Sequence, residues 1–231
     1  MSEPILEARG IKKVFKKEGV QIPVIRGVDF SIQPGEMVAI TGASGVGKST
    51  LLHIIGTLEP PTEGRVYFGG EKGTERKDLF SLSEKDLAQF RNRSLGFIFQ
   101  FHYLLPEFTA VENVMLPALI AGYSKGPAEA QAKELLQFVG LGHRLQHRPS
   151  ELSGGEQQRV AIARSVILRP KLLLADEMTG NLDSANSSLV VELLAKLNRA
   201  TGVSVLMVTH DLELAKRMHR VMTMKDGVFV G

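Results

Sequence analysis

No cysteine occurs anywhere in the chain. Disulfides, thiolate metal sites and cysteine nucleophiles are thereby excluded, and a reducing compartment suits such a protein. Charge of one sign is also scarce: 28 basic residues stand against 25 acidic ones, a net +3. That balance gives nucleic acid no general hold, and none is expected as a partner. The densest basic run, Lys12, Lys13, Lys16 and Lys17, reads as a solvated turn between two strands. No apolar run approaches the about 18–20 residues that span a bilayer. The nearest, 114–121, is short and contains Pro117. The opening residues, MSEPILEARG, lack the basic-then-apolar pattern of a secretion signal. A role at a membrane therefore needs an integral partner. Internal repeats and low-complexity segments are missing too.

What is present is a chain of 231 residues, 43% of them hydrophobic, long enough for one large domain or two small ones. Short strands are expected over 5–8, 24–32 and 65–68, separated by Gly, Pro and charged residues. The apolar run 37–41 ends in a glycine-rich loop, after which a helix is expected from Lys48 to about position 58, closed by Glu59-Pro60-Pro61. Ser83 to Asp86 forms a capping-box pattern ahead of a helix with Leu87 and Phe90 on one face. Residues 95–100 read as a strand. From 101 to 152 the pattern turns helical, most clearly over 128–139, with Pro127 at the start and Gly140 at the end. Strands at 172–176 and 203–209 then alternate with helices at 184–200 and 212–218. The first of these helices carries Leu189, Leu193, Leu194 and Leu197 on one stripe. Asp226-Gly227 is a hairpin turn. The fold class is α/β with a parallel sheet, a strand-rich N-terminal layer and a helical insert.

The residues from Gly42 through Ala43, Ser44, Gly45, Val46 and Gly47 to Lys48 and Ser49 match G-x-x-x-x-G-K-[ST] without a gap, between a strand and a helix. Glycines let several backbone N–H groups converge on one phosphate, and the following helix adds its positive end. Lys48 is placed to reach β- and γ-phosphates, the Ser49 hydroxyl to bind Mg²⁺, and Thr50 to meet the α-phosphate region. Downstream, an apolar strand ends in Asp176-Glu177. Paired carboxylates there are costly without a cation, so Asp176 suits the Mg²⁺ shell and Glu177 the polarisation of an attacking water. A third segment, Leu152-Ser153-Gly154-Gly155-Glu156-Gln157, precedes a helix. It is either an ordinary capped helix or a second phosphate-binding helix end.

Taken together, the loop at 42–50, the Leu-Ser-Gly-Gly-Glu segment, the strand ending Asp176-Glu177, Gln100 after its strand and His210 after Val208-Thr209 resemble the nucleotide-binding cassette of ABC transporters. The order and spacing match over nearly the whole chain. That resemblance implies a P-loop NTPase core with an antiparallel N-terminal β subdomain, both drawn from about 1–100 and 153–231, and a helical subdomain over about 101–152. It implies ATP and Mg²⁺ as ligands, hydrolysis of ATP, and a homodimer formed on ATP binding. In that family's terms Gln100 touches Mg²⁺ and water and couples to the membrane domain, and His210 contacts the γ-phosphate. Ser153, Gly154, Gly155 and Glu156 form the signature, and Asn181-Leu182-Asp183 the loop that crosses the dimer interface. Phe15 stands where the family stacks an aromatic ring on adenine, although it equally suits a strand core. Met178 departs from the family's usual proline after the catalytic glutamate. Methionine loosens that turn, and Met178→Pro is expected to raise turnover.

The segment from Leu95 to Val114, His147-Arg148-Pro149-Ser150-Glu151-Leu152 and the run from Thr209 to Met218 narrow the resemblance. They are very similar to cassettes of bacterial lipoprotein-releasing systems, with macrolide-export and cell-division cassettes as close relatives. Integral transporter subunits are the implied partners, and the cytoplasmic face of the inner membrane the implied location. The apolar stretch 101–105 is either a docking surface for such a subunit or ordinary core. A cassette acting on DNA or ribosomes is the rival reading. It usually carries two cassettes or a long coiled coil, and this chain has neither.

Overall fold

The computed structural model of the chain describes residues 3–69 and 76–230. In chain order the elements are β1 (Leu6–Lys17), β2 (Val20–Ile32), β3 (Met37–Thr41), α1 (Lys48–Ile55), β4 (Glu63–Phe68), β5 (Lys77–Asp78), α2 (Glu84–Ser94) and β6 (Leu95–Phe99). There follow α3 (Ala110–Ile120), α4 (Lys125–Phe138), α5 (Gly154–Val166), β7 (Leu172–Asp176), α6 (Ser184–Thr201), β8 (Ser204–Val208), α7 (Leu212–Ala215), β9 (Arg220–Lys225) and β10 (Val228–Val230). Short 3-10 turns occupy Leu79–Ser81 and Pro149–Glu151. Among the described residues no helix is long and apolar enough to cross a membrane.

Two compact units result. The first combines the chain up to Arg91 with the segment from Ser204 onward. It contains an antiparallel sheet in the order β2-β1-β4-β5. Beside it β3 pairs in parallel with β8 on one side and β9 on the other, and β10 adds an antiparallel edge to β9. Every residue of β3 and β8 is buried, as strands covered on both faces require. The β9–β10 hairpin turns at Asp226 and Gly227, both at positive φ (49° and 79°), which suits a two-residue hairpin of the expected kind.

The lysine run is not the turn that its composition implies. β1 continues through Lys17, and the reversal falls at Glu18-Gly19, with φ 51° and 84°. Neighbouring acids pair with two of the four charges, while Lys16 and Lys17 are exposed. Lys12 Nζ meets Glu63 at 2.6 Å, and Lys13, buried, pairs with Glu59 and donates to the Pro60 carbonyl at 2.7 Å. On α2, Leu87 and Phe90 are half-buried, with the Phe90 ring edge-on to Phe68 at 4.9 Å.

The second unit, Asn92–Val203, holds the parallel pair β6–β7, in register from Leu95↔Leu172 to Phe99↔Asp176, together with α3 to α6. α4 begins at Lys125, earlier than its proline suggests. Pro127 lies in the first turn, where a backbone N–H has no helical partner to lose. On α6 the buried stripe is Val190, Val191, Leu193, Leu194 and Leu197, while Leu189 is 54% exposed. Val190 and Val191 take the inward positions that would otherwise fall to Leu189. Asn113, fully buried on α3, accepts from Leu105 N at 2.8 Å and donates to the carbonyls of Leu105, Phe108 and Thr109 at 3.0–3.1 Å.

Candidate functional site

In the first unit the glycine-rich loop leaves the carboxyl end of β3 and enters α1. Gly47, at φ 106°, is the N-cap, and the first turn of α1 has no acidic residue to offset its positive end. Gly42 must be glycine: at φ 149° an added Cβ would lie 2.3 Å from the Met224 carbonyl oxygen. Lys48 is 4% exposed, and its Nζ donates to the carbonyls of Gly42 and Ala43 at 3.0 Å each. Its ammonium therefore lies across the loop. Ser49 and Thr50 follow on α1 as half-buried hydroxyls. His210 emerges from β8 at the same edge, because Ile40 and Val208 are in register and Thr209 N donates to the Ile40 carbonyl at 3.1 Å. His210 is exposed. Phe15 lies on β1 opposite Ile22, 38% exposed, with Lys13 Nζ 5.0 Å from its ring centre. It is an accessible ring and not a core residue.

In the second unit the parallel register brings Gln100, Asp176 and Glu177 to one sheet edge. Gln100 Nε2 donates to Asn181 Oδ1 at 3.4 Å, and Asn181 Nδ2 donates back to the Gln100 carbonyl at 3.3 Å. Asp176 and Glu177 are half-buried, and Glu177 turns the chain at φ 41°. Met178 is buried behind it, 2% exposed. The signature segment opens α5 with a capping box. Ser153 Oγ accepts from Glu156 N at 3.3 Å, and Glu156 Oε2 accepts from Ser153 N at 2.8 Å. Gly155 gives close approach: a Cβ there would lie 2.6 Å from Asn186 Oδ1. Glu156 is held below the usual carboxylate range, first by the Ser153 backbone N–H and also by the Ser153 hydroxyl and Arg144.

Among the described residues no group of three or more His, Cys, Asp or Glu side chains is placed to hold a metal ion. Mg²⁺ bound with a nucleotide needs only one or two carboxylates beside phosphate and water oxygens. The half-buried Asp176 carboxylate at a strand end and the amide oxygen of Gln100 beside it are hard donors that fit that demand.

Two residues that the motifs do not include, Arg144 and Arg164, support these segments. Arg144 Nε contacts Glu156 Oε1 at 3.1 Å, and its Nη1 lies 3.0 Å from His147 Nε2. Arg164 donates to the carbonyls of His102 and Tyr103 at 2.7 Å each, and burial depresses its own ionisation. The signal for Arg164 was available: one cation in the buried run Val160 to Val166 of α5. Arg144 had only the weaker signal that Glu156 calls for a countercharge. Arg164 holds the segment 101–105 at His102 and Tyr103 and Asn113 holds it at Leu105, yet Phe101, Tyr103 and Leu105 are 61%, 65% and 42% exposed. They do not form core.

Residues 25–180 match the family model described as ABC transporter. A Geobacter metallireducens protein named lipoprotein-releasing system ATP-binding protein LolD is 54% identical over 223 residues, covering 96% of each chain. A Caulobacter vibrioides protein named lipoprotein-releasing system ATP-binding protein LolD 2 is 52% identical, covering 98% of this chain and 97% of that one. Among solved structures, a dimeric post-hydrolysis state of an ATP-binding cassette bound to ADP and Pi superposes with a TM-score of 0.87. It is 37% identical and covers 98% of this chain and 97% of that one.

Proposed function

We infer, for a chain that belongs to the ABC transporter family and is an ATPase of that family, that it powers lipoprotein release from the inner membrane through integral transporter subunits. One observation carries this reading: the phosphate loop and a capped Leu-Ser-Gly-Gly-Glu helix start occur in one chain. The likeness to proteins named for lipoprotein release supports the choice of cargo. The exposed side chains of Phe101, Tyr103 and Leu105, on a segment pinned by Arg164 and Asn113, supply a docking surface for the membrane partner. The subunit then works at the cytoplasmic face of that membrane, and 101–152 acts as the helical subdomain that transmits motion.

The roles follow from charge and position. The loop N–H groups, with Gly42, Ser44, Gly45 and Gly47, cradle the phosphates, and Lys48 offsets charge on the β- and γ-phosphoryl groups. Thr50 lies toward the α-phosphate and Phe15 stacks on adenine. Ser49, Asp176 and Gln100 would hold Mg²⁺, which when bound would supply neutralisation of phosphate charge. Glu177 accepts a proton from the water that attacks the γ-phosphorus as the bond to the bridging oxygen breaks, giving ADP and phosphate. His210 steadies the γ-phosphate. Two chains close on two ATP molecules, and Ser153, Gly154, Gly155 and Glu156 of each face the nucleotide held by the other.

The test is capture of the tagged chain from detergent-solubilised membranes of the producing bacterium. Integral subunits should copurify, and the reconstituted complex should release lipoprotein only with MgATP. Copurification with a drug exporter, or binding to double-stranded DNA at physiological salt, would replace this reading.

A further inference from the structure

We propose that Arg144 is a positioning residue for the phosphate-facing end of α5, cancelling the charge of Glu156 so that this helix start can receive a polyanion. The inference rests on the reading above that Ser153 and its glycines meet ATP. A carboxylate at the third position of a helix ordinarily suits the positive helix end. Here the same end has to approach a triphosphate, and an uncompensated negative charge would oppose that approach.

The geometry answers the conflict. Glu156 divides its two oxygens, Oε2 on the Ser153 backbone N–H at 2.8 Å and Oε1 on Arg144 Nε at 3.1 Å. The far side of the guanidinium meets His147 Nε2 at 3.0 Å. A guanidinium only donates, so this ring nitrogen is the acceptor. The turn that carries the pair is fixed from both sides. Arg144 N donates to the Leu141 carbonyl at 2.9 Å and His147 N to the Arg144 carbonyl at 3.0 Å. The carbonyls of Leu145 and His147 accept from Val111 N at 3.0 Å and Ala110 N at 2.8 Å, in the first turn of α3. The cation is thus preorganised beside Glu156, while Ser153 and Gly154 remain at the surface.

Mere bracing and charge compensation make different predictions, and a double-mutant cycle separates them. The cycle is run in a Glu177→Gln background, with ATP-dependent dimerisation followed by sedimentation velocity in MgATP. Arg144→Met should raise the protein concentration needed for half-dimerisation on the order of tenfold, with ATP affinity of the monomer unchanged. Adding Glu156→Gln, whose amide oxygen still accepts from Ser153 N, should recover most of that loss, and Arg144→Lys should lie near the parent. Added salt should narrow the deficit. Dimerisation of Arg144→Met equal to the parent, or a double variant no better than the single, overturns the proposal. If Arg144→Met does not fold, Glu156→Gln is compared with Glu156→Gln/Arg144→Met: equal dimerisation supports the proposal and unequal dimerisation overturns it. A Glu177→Gln parent that stays monomeric in MgATP removes the underlying reading, and this inference falls with it.

Discussion

Glu177 holds its backbone at φ 41°, a region that a side chain occupies at a cost of order 1 kcal/mol or more. It is positioned by the turn and not by its own preference. Replacing only its charge should leave that turn intact. Glu177→Gln is expected to bind MgATP with parental affinity and to hydrolyse it at least a hundredfold more slowly, roughly the contribution of one general base; parental single-turnover rates would remove Glu177 from that role. Met178 behaves differently from its description as a loosened turn. The sequence shows only that proline is missing, whereas the structure shows a methionine buried to 2% exposure. Met178→Pro trades backbone restriction against lost packing, and buried Met truncations cost about 2–5 kcal/mol. The residue before a proline is also drawn toward extended backbone, away from the conformation of Glu177. The variant should therefore melt several degrees lower, whatever happens to its turnover. A raised melting temperature by calorimetry would show that stiffening outweighs packing here.

At the level of elements, three helix-starting acids share one electrostatic pattern. Glu112 in the box with Thr109, Glu156 with Ser153, and Asp183 accepting from Asn186 N at 2.8 Å all have ionisation held below the ordinary carboxylate range. In each case a backbone N–H at the helix start is the largest cause, that of the cap for Glu112 and Glu156 and that of Asn186 for Asp183. Depressed folded-state values mean that the stabilisation is present above the ordinary carboxylate pKa and fades as pH falls through the lowered values. Melting temperature should decline on acidification below about pH 4, and Asp183→Asn or Glu112→Gln should make that decline shallower. Equal slopes in a circular-dichroism titration would assign the acid sensitivity elsewhere. Periodicity made most of these elements legible. β3, β7 and α6 lie within a residue of their expected bounds because a short continuous apolar run and an amphipathic spacing are both local patterns. The lysine run misled because its ion pairs are long-range, Lys12 with Glu63 on the neighbouring strand and Lys13 with Glu59 in the turn after α1. No local pattern carries that information.

Across the whole molecule, the loop at Lys48 and the signature at Ser153 were legible because each is a contiguous string with a mechanical reason for its glycines. Arg144 was not, since its partner Glu156 is twelve residues away and only folding joins them. The expected helical subdomain, 101–152, lies inside the larger unit Asn92–Val203. If each ATP is held by the loop of one chain and the signature of the other, defects in the two halves should complement. Lys48→Ala and Ser153→Arg should each be inactive as homodimers. Mixed, they form a heterodimer in which one site collects both defects and the other neither, and some ATPase activity should return. Specific activity of the unmutated chain should also rise with concentration while dimerisation is weak. Constant specific activity, with a monomer mass persisting through turnover, would rule out the shared site.

Two of the four hydrogen bonds of Asn113 give the segment 101–105 a clock. One fully buried side chain holds both the Leu105 amide and the Leu105 carbonyl, so the segment opens at that end only by giving up both together. Its amide hydrogens should exchange with solvent as one cooperative group, separately from the body of α3. The shape-matched Asn113→Leu would strand the Leu105 N–H at about 1–3 kcal/mol, while the Leu105 and Thr109 carbonyls keep Phe108 N and the backbone N of position 113 as donors. Exchange at Leu105 should then quicken manyfold and protease cuts appear first over 101–108, while α3 keeps its protection. Binding of a membrane partner to this segment should slow the same amide, which makes Leu105 exchange a direct reading of engagement in the unmutated protein.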